Sequence, residues 1–378
     1  MKILLKKMKI GIDISQITYQ GTGVGRFTNS LVNALLENKN KNQYTFFFSS
    51  LRRNLDSDLE NKIKSNGHKL IKWKIPPTLL SFLWNNCHSY SSLPTNYSLQ
   101  PTNFDYFISS DWTEPPINTN KATIVHDLVY LKYPETLPKI IIETQKKRMS
   151  LVKKESKIIF TDSQATKQDL VNLLNIKAEK IVVNYPGVDV HFPAKENIKK
   201  TLEKYKITKP FILSVGKQEP RKNIKRLIQA FQQINNQNIQ LIIVGVKGWG
   251  NLPAGGPISN IKYLGYVSDS DLYSLYSSCH FFIYPSLYEG FGYPIIEAMK
   301  LGAPVACSNT SSMGEIAKDA ALLFDPLKTE EIFRCIDTLI KNENLRKDLI
   351  IKGKERAKLF NWEKYYNILI KKLELFHN

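Results

Sequence analysis

Short runs of apolar residues alternate with amphipathic stretches along the whole chain. The apolar runs are rich in β-branched and aromatic side chains, which is typical of buried parallel strands. The stretches between them have helical spacing, so the alternation predicts parallel α/β layers. In the first half we predict strands at 9–15, 44–48, 105–109, 122–127, 157–162 and 180–185, and helices at 24–38, 136–155 and 164–174.

A second series of strands and helices begins after the lysine-rich, turn-rich segment 186–200. Its predicted strands are 211–216, 239–245, 279–285 and 303–308, and helices are predicted at 328–341, 343–358 and 361–376. A chain of 378 residues is long enough for two cores. We therefore expect two Rossmann-like domains, 1–190 and 195–360, that face an interdomain cleft and bind ligands at the carboxyl ends of their strands.

The chain carries a formal net charge of +19, which attracts polyanions such as nucleic acid, anionic lipid or phosphorylated substrates. It has no zinc-finger spacing, aromatic RNA-binding motif or basic helical arm, so a nucleic-acid partner is not expected. No apolar run is long enough to cross a membrane, and the amino-terminal run IGIDI reads as a first strand rather than a signal peptide. A cytoplasmic location is expected, with a peripheral position on the inner face of the cell membrane as an extension of it.

The four cysteines, Cys87, Cys279, Cys307 and Cys335, are scattered and show no metal-ligand spacing. This usage favours a reducing compartment and predicts buried thiols that act as small hydrophobic side chains.

The segment Tyr284–Lys300, YPSLYEGFGYPIIEAMK, joins the end of an apolar strand to the start of a helix. Proline suits the first turn of that helix. The free backbone N–H groups of Phe291 and Gly292 at such a helix start offer an anion site for a diphosphate. Glu289 precedes the helix and Glu297 lies within it, a spacing that lets one carboxylate approach a sugar while the other reaches a ribose.

Two glutamates in this spacing within EGFGYPIIEAM resemble those of the retaining family 4 glycosyltransferases, which have the GT-B fold. The resemblance implies that Glu289 lies near the donor sugar and its phosphate. It also implies that Glu297 hydrogen-bonds the ribose hydroxyls and that Gly290, Phe291 and Gly292 belong to the same donor site. A helix with incidental surface glutamates is the competing interpretation.

The basic segment Ser214–Asn223, SVGKQEPRKN, follows the first strand of the second domain. Cations at such a turn can neutralise a diphosphate leaving group, although the same residues could be ordinary charged surface. The segment is similar to the basic loop of the family, which assigns phosphate contacts to Lys222, Arg221 and Lys217 beside Gly216. Because many relatives have Arg where this chain has Lys217, that contact is expected to be a point charge.

The glycine-rich turn Gly21–Arg26 lies between the first strand and the first helix. Glycines allow close approach of a ligand, and in the family the equivalent loop, here with Gly23 and Gly25, touches donor phosphate or acceptor. A dinucleotide enzyme is the alternative. The second strand, YTFFFSS, lacks the acidic residue of an NAD site, but Arg52 and Arg53 follow it and suit an NADP phosphate.

His126 and Asp127 stand at the carboxyl end of a predicted strand, where an imidazole can hydrogen-bond a sugar hydroxyl. A His–Asp pair at this place is common in family 4, and the resemblance implies that His126 contacts the donor sugar. A structural role is expected for the remaining histidines, which are His68, His88, His191, His280 and His377.

Two Asp-Ser-Asp triplets, Asp56–Asp58 and Asp269–Asp271, have the spacing of the metal-binding motif in the other main glycosyltransferase fold. Each lies at a predicted helix start, where aspartate and serine cap free N–H groups, so we expect neither a metal site nor a cofactor. The resemblance implies that Tyr266 and Val267, just before the second triplet, hold the nucleotide base.

The aromatic and apolar segment Trp73–Trp84 has three lysines around its start, Lys69, Lys72 and Lys74. It is interpreted either as ordinary core or as an acceptor-side patch that dips into an anionic membrane.

Together these features imply a retaining, metal-independent transferase that moves a hexose from a nucleotide-diphosphate sugar to a saccharide or lipid-linked acceptor. Glu289, His126, Lys222 and Arg221 are the expected catalytic residues. The combination of TGVGR and EPRKN resembles bacterial mannosyltransferases that use GDP-mannose to build cell-surface polysaccharide or lipopolysaccharide. Three alternatives stay open: a UDP-sugar transferase, an NADP oxidoreductase and a non-catalytic sugar-nucleotide-binding protein. The family's closing helix returns to the first domain, so residues 361–378 are expected to pack there.

Overall fold

A computed structural model describes residues 7–19, 21–38, 41–88, 103–234, 236–248 and 260–377. Residues 1–6 and Gln20 of the predicted amino-terminal features therefore lie outside the described part. The chain divides into two compact units. The first comprises Met1–Gly187 together with Trp362–Asn378, and the second comprises Val188–Asn361.

The first unit is built on a parallel sheet with the strand order β3-β2-β1-β4-β5-β6-β7. Its inner strands are mostly buried because helices cover both faces, as in β2, where every residue after Gln43 is buried. The strands are β1 (Lys9–Asp13), β2 (Gln43–Ser49), β3 (Lys69–Trp73), β4 (Tyr106–Ser110), β5 (Asn120–Val125), β6 (Ser156–Thr161) and β7 (Ile181–Val183).

The helices of the first unit include one from the far end of the chain. They are α1 (Gly23–Glu37), α2 (Ser57–Ser65), α3 (Pro77–Ser81), α4 (Val129–Lys132), α5 (Lys139–Glu155), α6 (Gln164–Leu174) and α14 (Trp362–His377). Helix α14 is tied in by a hydrogen bond of 3.0 Å from Asn184 Nδ2 to the carbonyl of Tyr365. The Trp362 ring packs against Phe27 of α1.

The second unit has its own parallel sheet with the strand order β10-β9-β8-β11-β12-β13. The strands are β8 (Phe211–Val215), β9 (Gln240–Val244), β10 (Ile261–Gly265), β11 (Phe281–Tyr284), β12 (Val305–Ser308) and β13 (Leu322–Phe324). The helices are α7 (Lys195–Lys204), α8 (Ile224–Gln232), α9 (Asp269–Ser278), α10 (Tyr293–Lys300), α11 (Ser311–Ala317), α12 (Thr329–Lys341) and α13 (Glu343–Ala357). One apolar core joins α8 and α12 to the sheet.

The predicted α/β class with two parallel sheets is confirmed, but three strands were missed. Strands β3, β10 and β13 all lie at sheet edges; lysines interrupt the apolar runs of β3 and β10, and β13 is only three residues long. The prediction of buried thiols was wrong in part: Cys307 and Cys335 are buried, whereas Cys87 is exposed. Among the described helices none is long and apolar enough to span a membrane.

Candidate active site

A cluster of cations and carboxylates forms where two loops meet in the second unit. A short 3₁₀ turn, Pro220–Lys222, follows β8, and Glu289 lies in the loop after β11. Lys222 Nζ lies 2.6 Å from Glu289 Oε1, and Arg221 Nη1 lies 2.9 Å from Glu289 Oε2. The structure thus brings together three of the predicted catalytic residues.

The two loops are joined by hydrogen bonds as well as by charge. The side chain of Asn223, buried just after the turn, donates to the carbonyl of Pro285 (3.1 Å). The backbone N–H of Leu287 donates to the carbonyl of Arg221 (2.9 Å). The relative position of the cations and Glu289 is therefore fixed by the backbone.

The Glu289 carboxylate has more hydrogen-bond partners than its sequence motif suggests. Oε1 also accepts hydrogen bonds from the Tyr284 hydroxyl (2.9 Å) and from Ser286 Oγ (2.5 Å). Burial raises the pKa of this carboxyl, but the charges of Arg221 and Lys222 outweigh burial and lower the pKa from its ordinary 4.5 to about 2. Glu289 is therefore ionised at neutral pH and has no proton to donate.

Lys222 contacts both Glu289 and Tyr284, the last residue of β11. Its Nζ also donates to the Tyr284 hydroxyl over 2.8 Å. Burial, aided by the charge of Arg221, lowers the pKa of Lys222 although Glu289 opposes that shift, and burial raises the pKa of Tyr284 well above 10. A Cβ at Gly216 would lie 3.3 Å from the Lys222 stem, so glycine leaves room for this lysine.

Lys217 lies at the more open side of the cluster. Its Nζ is 3.2 Å from Glu219 Oε1, and its side chain is 42% exposed. Glu219 also lies 3.5 Å from Arg221 Nη2. Three cations thus meet two carboxylates, which leaves a positive excess in this part of the unit.

The loop Glu289–Gly292 is held from one side by the start of α11. Ser312 Oγ lies 2.8 Å from the carbonyl oxygens of both Glu289 and Phe291, which share its one hydroxyl proton. Phe291 is buried against Tyr293 and Phe360. Gly290 lies between the braced residues, and Gly292 is the N-cap residue of α10, a helix start without a side-chain cap.

The remaining predicted donor-site residues of this unit differ in exposure. Glu297 is buried, and its Oε2 accepts a hydrogen bond from the Tyr276 hydroxyl over 3.2 Å. Tyr266 is 70% exposed and Val267 is buried. Tyr266 therefore presents an open aromatic ring next to the end of β10.

In the first unit, His126 lies just beyond the end of β5 and is bonded through both ring nitrogens. Its Nδ1 lies 2.6 Å from Asp162 Oδ2, and its Nε2 lies 3.1 Å from Ser110 Oγ. Burial favours the neutral ring, but the charge and hydrogen bond of Asp162 outweigh burial, so the pKa of His126 is raised.

The glycine-rich turn begins α1 in the same unit. Helix α1 starts at Gly23, and the Thr22 side chain accepts a hydrogen bond of 3.1 Å from the N–H of Gly25. A Cβ at Gly25 would lie 2.4 Å from the Tyr19 carbonyl oxygen, whereas at Gly23 it would meet open space. Gly25 thus serves packing, and Gly23 leaves its side open to a ligand.

The two Asp-Ser-Asp triplets have structural partners. Asp56 caps α2 as predicted. At the second triplet the prediction was wrong in detail, because Ser268 is the N-cap of α9, and Asp271 instead binds Lys204 Nζ over 2.7 Å. Within the described ranges no three His, Cys, Asp or Glu side chains are grouped as metal ligands.

The segment Trp73–Trp84 is partly core and partly surface. Trp73 and Trp84 are buried in an apolar cluster of the first unit. Leu79 and Phe82 between them are 47% and 55% exposed. The core interpretation therefore holds for the tryptophans, and an exposed apolar patch remains beside them.

Sequence reasoning missed the side chains that organise the charged groups. Tyr284, Ser286 and Ser312 surround Glu289, and Asp162 holds His126. Asp162 could have been found, because it ends the predicted strand 157–162 and parallel strands bring their carboxyl ends to one edge. Ser312 carries no comparable signal, since it acts through backbone carbonyls.

Comparison with known proteins shows that the chain is similar to glycosyltransferases in both sequence and fold. Residues 195–356 match the family described as glycosyl transferases group 1. The sucrose-phosphate synthase of Thermosynechococcus elongatus superposes with a TM-score of 0.72 at 18% identity, over 98% of this chain and 99% of that one, a likeness of fold. The chain therefore has the two-unit α/β fold of the GT-B glycosyltransferases, and its second unit is similar to the group 1 family.

In sequence the chain resembles bacterial mannosyltransferases. It is 29% identical over 371 residues to O-antigen chain mannosyltransferase B of Escherichia coli, which spans 94% of this chain and 97% of the relative. It is also 27% identical over 224 residues to the serotype-specific mannosyltransferase WbdA of Escherichia coli, a match that spans 54% of this chain and 27% of WbdA.

Proposed function

We propose that the protein transfers mannose from GDP-mannose, with retention of anomeric configuration, to a saccharide or lipid-linked acceptor in cell-surface polysaccharide synthesis. The observation that supports this most is the match to O-antigen chain mannosyltransferase B, because it runs through both units and nearly the whole of both chains. A UDP-sugar donor is the alternative within the same class.

The cation cluster of the second unit suits the diphosphate of such a donor. Arg221 and Lys222 are held by the backbone and by Glu289, so they need little reorganisation when charge develops on the leaving group. Lys217 is the exposed cation of the set and can reach a phosphate at the surface. The start of α10, which has no side-chain cap, adds a further anion-binding element.

Glu289 serves this proposal as the anchor of the two cations. Its carboxylate accepts from Lys222, Tyr284 and Ser286 and pairs with Arg221, so it stays charged during the reaction. With the leaving diphosphate neutralised by fixed cations, the glycosidic bond can break with oxocarbenium character. His126 contacts the donor sugar, Glu297 the ribose, and Tyr266 with Val267 the base.

We further propose that transfer needs no metal ion. Lys222 and Arg221 supply the positive charge that a divalent cation supplies to phosphates elsewhere. Transfer that persists with a chelator and gains nothing from Mg²⁺ or Mn²⁺ supports this, and a requirement for either ion contradicts it.

Thermal unfolding with a panel of GDP, UDP, ADP, dTDP and NADP tests the donor assignment. A ligand at about one hundred times its dissociation constant adds roughly 2.7 kcal/mol of stability. GDP is expected to raise the unfolding midpoint, and the Glu297→Ala variant is expected to lose that shift. Stabilisation by UDP alone would favour the alternative donor, and stabilisation by NADP alone would indicate an oxidoreductase.

Transfer separates an enzyme from a protein that only binds sugar nucleotides. GDP-mannose incubated with a mannoside acceptor is expected to yield a lengthened product. GDP-dependent stabilisation without any transfer to a panel of saccharide and lipid-linked acceptors would favour the binding protein.

The exposed apolar patch of the first unit supports a peripheral contact with anionic membrane. Leu79 and Phe82 are exposed, and Lys69 and Lys74 lie near them in the sequence with exposed side chains. Sedimentation with vesicles containing phosphatidylglycerol is expected to exceed that with phosphatidylcholine and to fall in a Phe82→Ser variant. Equal sedimentation in all cases would remove the membrane contact from the proposal.

A further inference from the structure

The carboxyl ends of three neighbouring strands bring a serine, a histidine and an aspartate into one hydrogen-bonded row. Ser110 ends β4, His126 follows β5, and Asp162 follows β6. The row runs from Ser110 Oγ to His126 Nε2 (3.1 Å) and from His126 Nδ1 to Asp162 Oδ2 (2.6 Å). Hydrogen bonds at both ring nitrogens therefore fix the orientation of the imidazole.

The histidine is also held through its backbone and its ring face. Thr166 of α6 donates its hydroxyl to the carbonyl of His126 over 3.1 Å. Phe27 of α1 packs edge-on against the imidazole with 4.6 Å between ring centroids. Phe27 is backed in turn by Trp362 and Tyr365 of α14, which restrict its own movement.

Asp162 makes no side-chain hydrogen bond to the described residues other than the one to His126. It is 3% exposed, and its Oδ1 has no hydrogen-bond partner among the described residues. A buried carboxylate with one free oxygen costs stability, so folding alone gives no reason for it. A histidine whose outer nitrogen must contact a ligand gains a defined tautomer and orientation from such a partner.

We propose that Asp162 is a positioning residue, which fixes His126 with Nδ1–H directed at Asp162 and Nε2 directed at a hydroxyl of the sugar substrate. Ser110 Oγ occupies the Nε2 hydrogen bond in the free protein and gives way to that hydroxyl. The substrate part of this inference rests on the proposed function; the coupling between Asp162 and His126 does not.

The charges around the ring act in the same direction. Besides Asp162, the carboxylates Asp111 and Asp127 raise the pKa of His126 against the effect of burial. From α14, Tyr365 faces the pair as a neutral phenol, because burial and Asp162 hold its pKa well above 10. These charges favour protonation of the ring, and Nε2 donates a hydrogen bond in the protonated form and accepts one in the neutral Nδ1–H form.

The test compares Asp162→Asn with Asp169→Asn. Asp169 lies on α6, the helix that follows Asp162, but it pairs with Lys132 at 3.4 Å, so its loss is a matched control. Ring ¹⁵N shifts of His126 are recorded by NMR against pH, and kcat and KM are measured with GDP-mannose. Asp162→Asn is expected to lower the pKa of His126 and to reduce kcat/KM on the order of tenfold. Asp169→Asn is expected to leave the His126 titration unchanged, and Asp162→Glu is expected to restore part of it.

A His126 titration in Asp162→Asn that matches the wild type would overturn the proposal. If that variant does not fold, the wild-type protein decides, since an unprotonated Nδ1 near pH 7 would equally contradict it. The titration needs no substrate. Absence of GDP binding would therefore refute the proposed function alone, and an unchanged titration would refute the positioning role alone.

Discussion

The two charged clusters use a buried carboxylate in opposite ways. In the second unit, Glu289 accepts from three side chains through one oxygen and pairs with Arg221 through the other. In the first unit, Asp162 has a single ring as its partner, and its second oxygen is left without one in the described structure. Glu289 is therefore fixed as an anion that positions cations, whereas the charge of Asp162 raises the pKa of the His126 ring.

The cluster in the second unit acts through fixed charges, whereas the pair in the first unit depends on the protonation of a histidine. The cluster around Lys222 suits a leaving group whose charge is always negative, and its carboxylate Glu289 stays ionised across the physiological pH range. The pair around His126 can respond to pH, and it suits a hydroxyl that needs a donor of defined orientation.

The largest effect is expected from Lys222→Ala. Removing a fixed cation from the leaving group should lower kcat by roughly 10²- to 10³-fold, the range seen when one preorganised donor is lost. Lys225→Ala, an exposed lysine on the neighbouring helix α8, is the control and should be near wild type. A Lys222→Ala enzyme within threefold of the control would remove this lysine from the mechanism.

Glu289→Gln should act through the cations rather than through the sugar. The amide removes the carboxylate shared by Lys222 and Arg221 and leaves Glu219 beside Arg221, which should cost about 3 kcal/mol in the free energy of unfolding. Turnover should fall on the order of tenfold or more, since the cations lose their fixed positions. Chemical denaturation and steady-state kinetics measure the two effects. Unchanged turnover would remove Glu289 from the mechanism.

The two clusters should lose their contributions at opposite ends of the pH scale. The folded-state pKa of Glu289 is lowered to about 2, so its stabilisation is complete above about 4.5 and is lost as pH falls from there towards 2. The folded-state pKa of His126 is raised, so its stabilisation is complete below about 6.5 and is lost as pH rises through the raised value.

Unfolding free energies measured against pH should therefore show two windows. The difference between wild type and Glu289→Gln should shrink in acid, and the difference between wild type and Asp162→Asn should shrink in alkali. Differences that stay constant across both windows would contradict the assigned charge states.

The smallest effect is expected from Tyr284→Phe. It removes one hydrogen bond to Glu289 and one acceptor for Lys222, which should cost about 1 kcal/mol of stability and a few-fold in turnover. Tyr130→Phe, a buried tyrosine of the first unit, serves as the control for loss of a phenol and should retain turnover. An effect on turnover as large as that of Glu289→Gln would mean that the phenol itself contacts the donor.

The sequence predicted the fold and the principal charged residues because both depend on local patterns. Apolar runs located the central strands, and the strand-to-helix segments 214–223 and 284–300 contained Lys222, Arg221 and Glu289. These two segments are far apart in the chain but follow strands β8 and β11, which pair in the sheet. Adjacent parallel strands therefore account for their meeting.

The hydrogen-bond and ion-pair partners of each charged side chain could not be predicted from the sequence. Glu289 was expected to face the donor sugar, and only the fold shows that Tyr284, Ser286 and two cations use its oxygens. The edge strand β10 was missed because partial exposure breaks its apolar pattern. The role of α14 behind Phe27 joins residues from opposite ends of the chain, and no local pattern encodes that contact.

The most direct test of the account is the stereochemistry of transfer from GDP-α-mannose, followed by NMR of the anomeric centre in the product. Retaining transfer gives a new mannosidic bond with the α configuration. This product should form without added metal and should not form with the Lys222→Ala variant. A β-linked product, or transfer only from another sugar nucleotide, would contradict it.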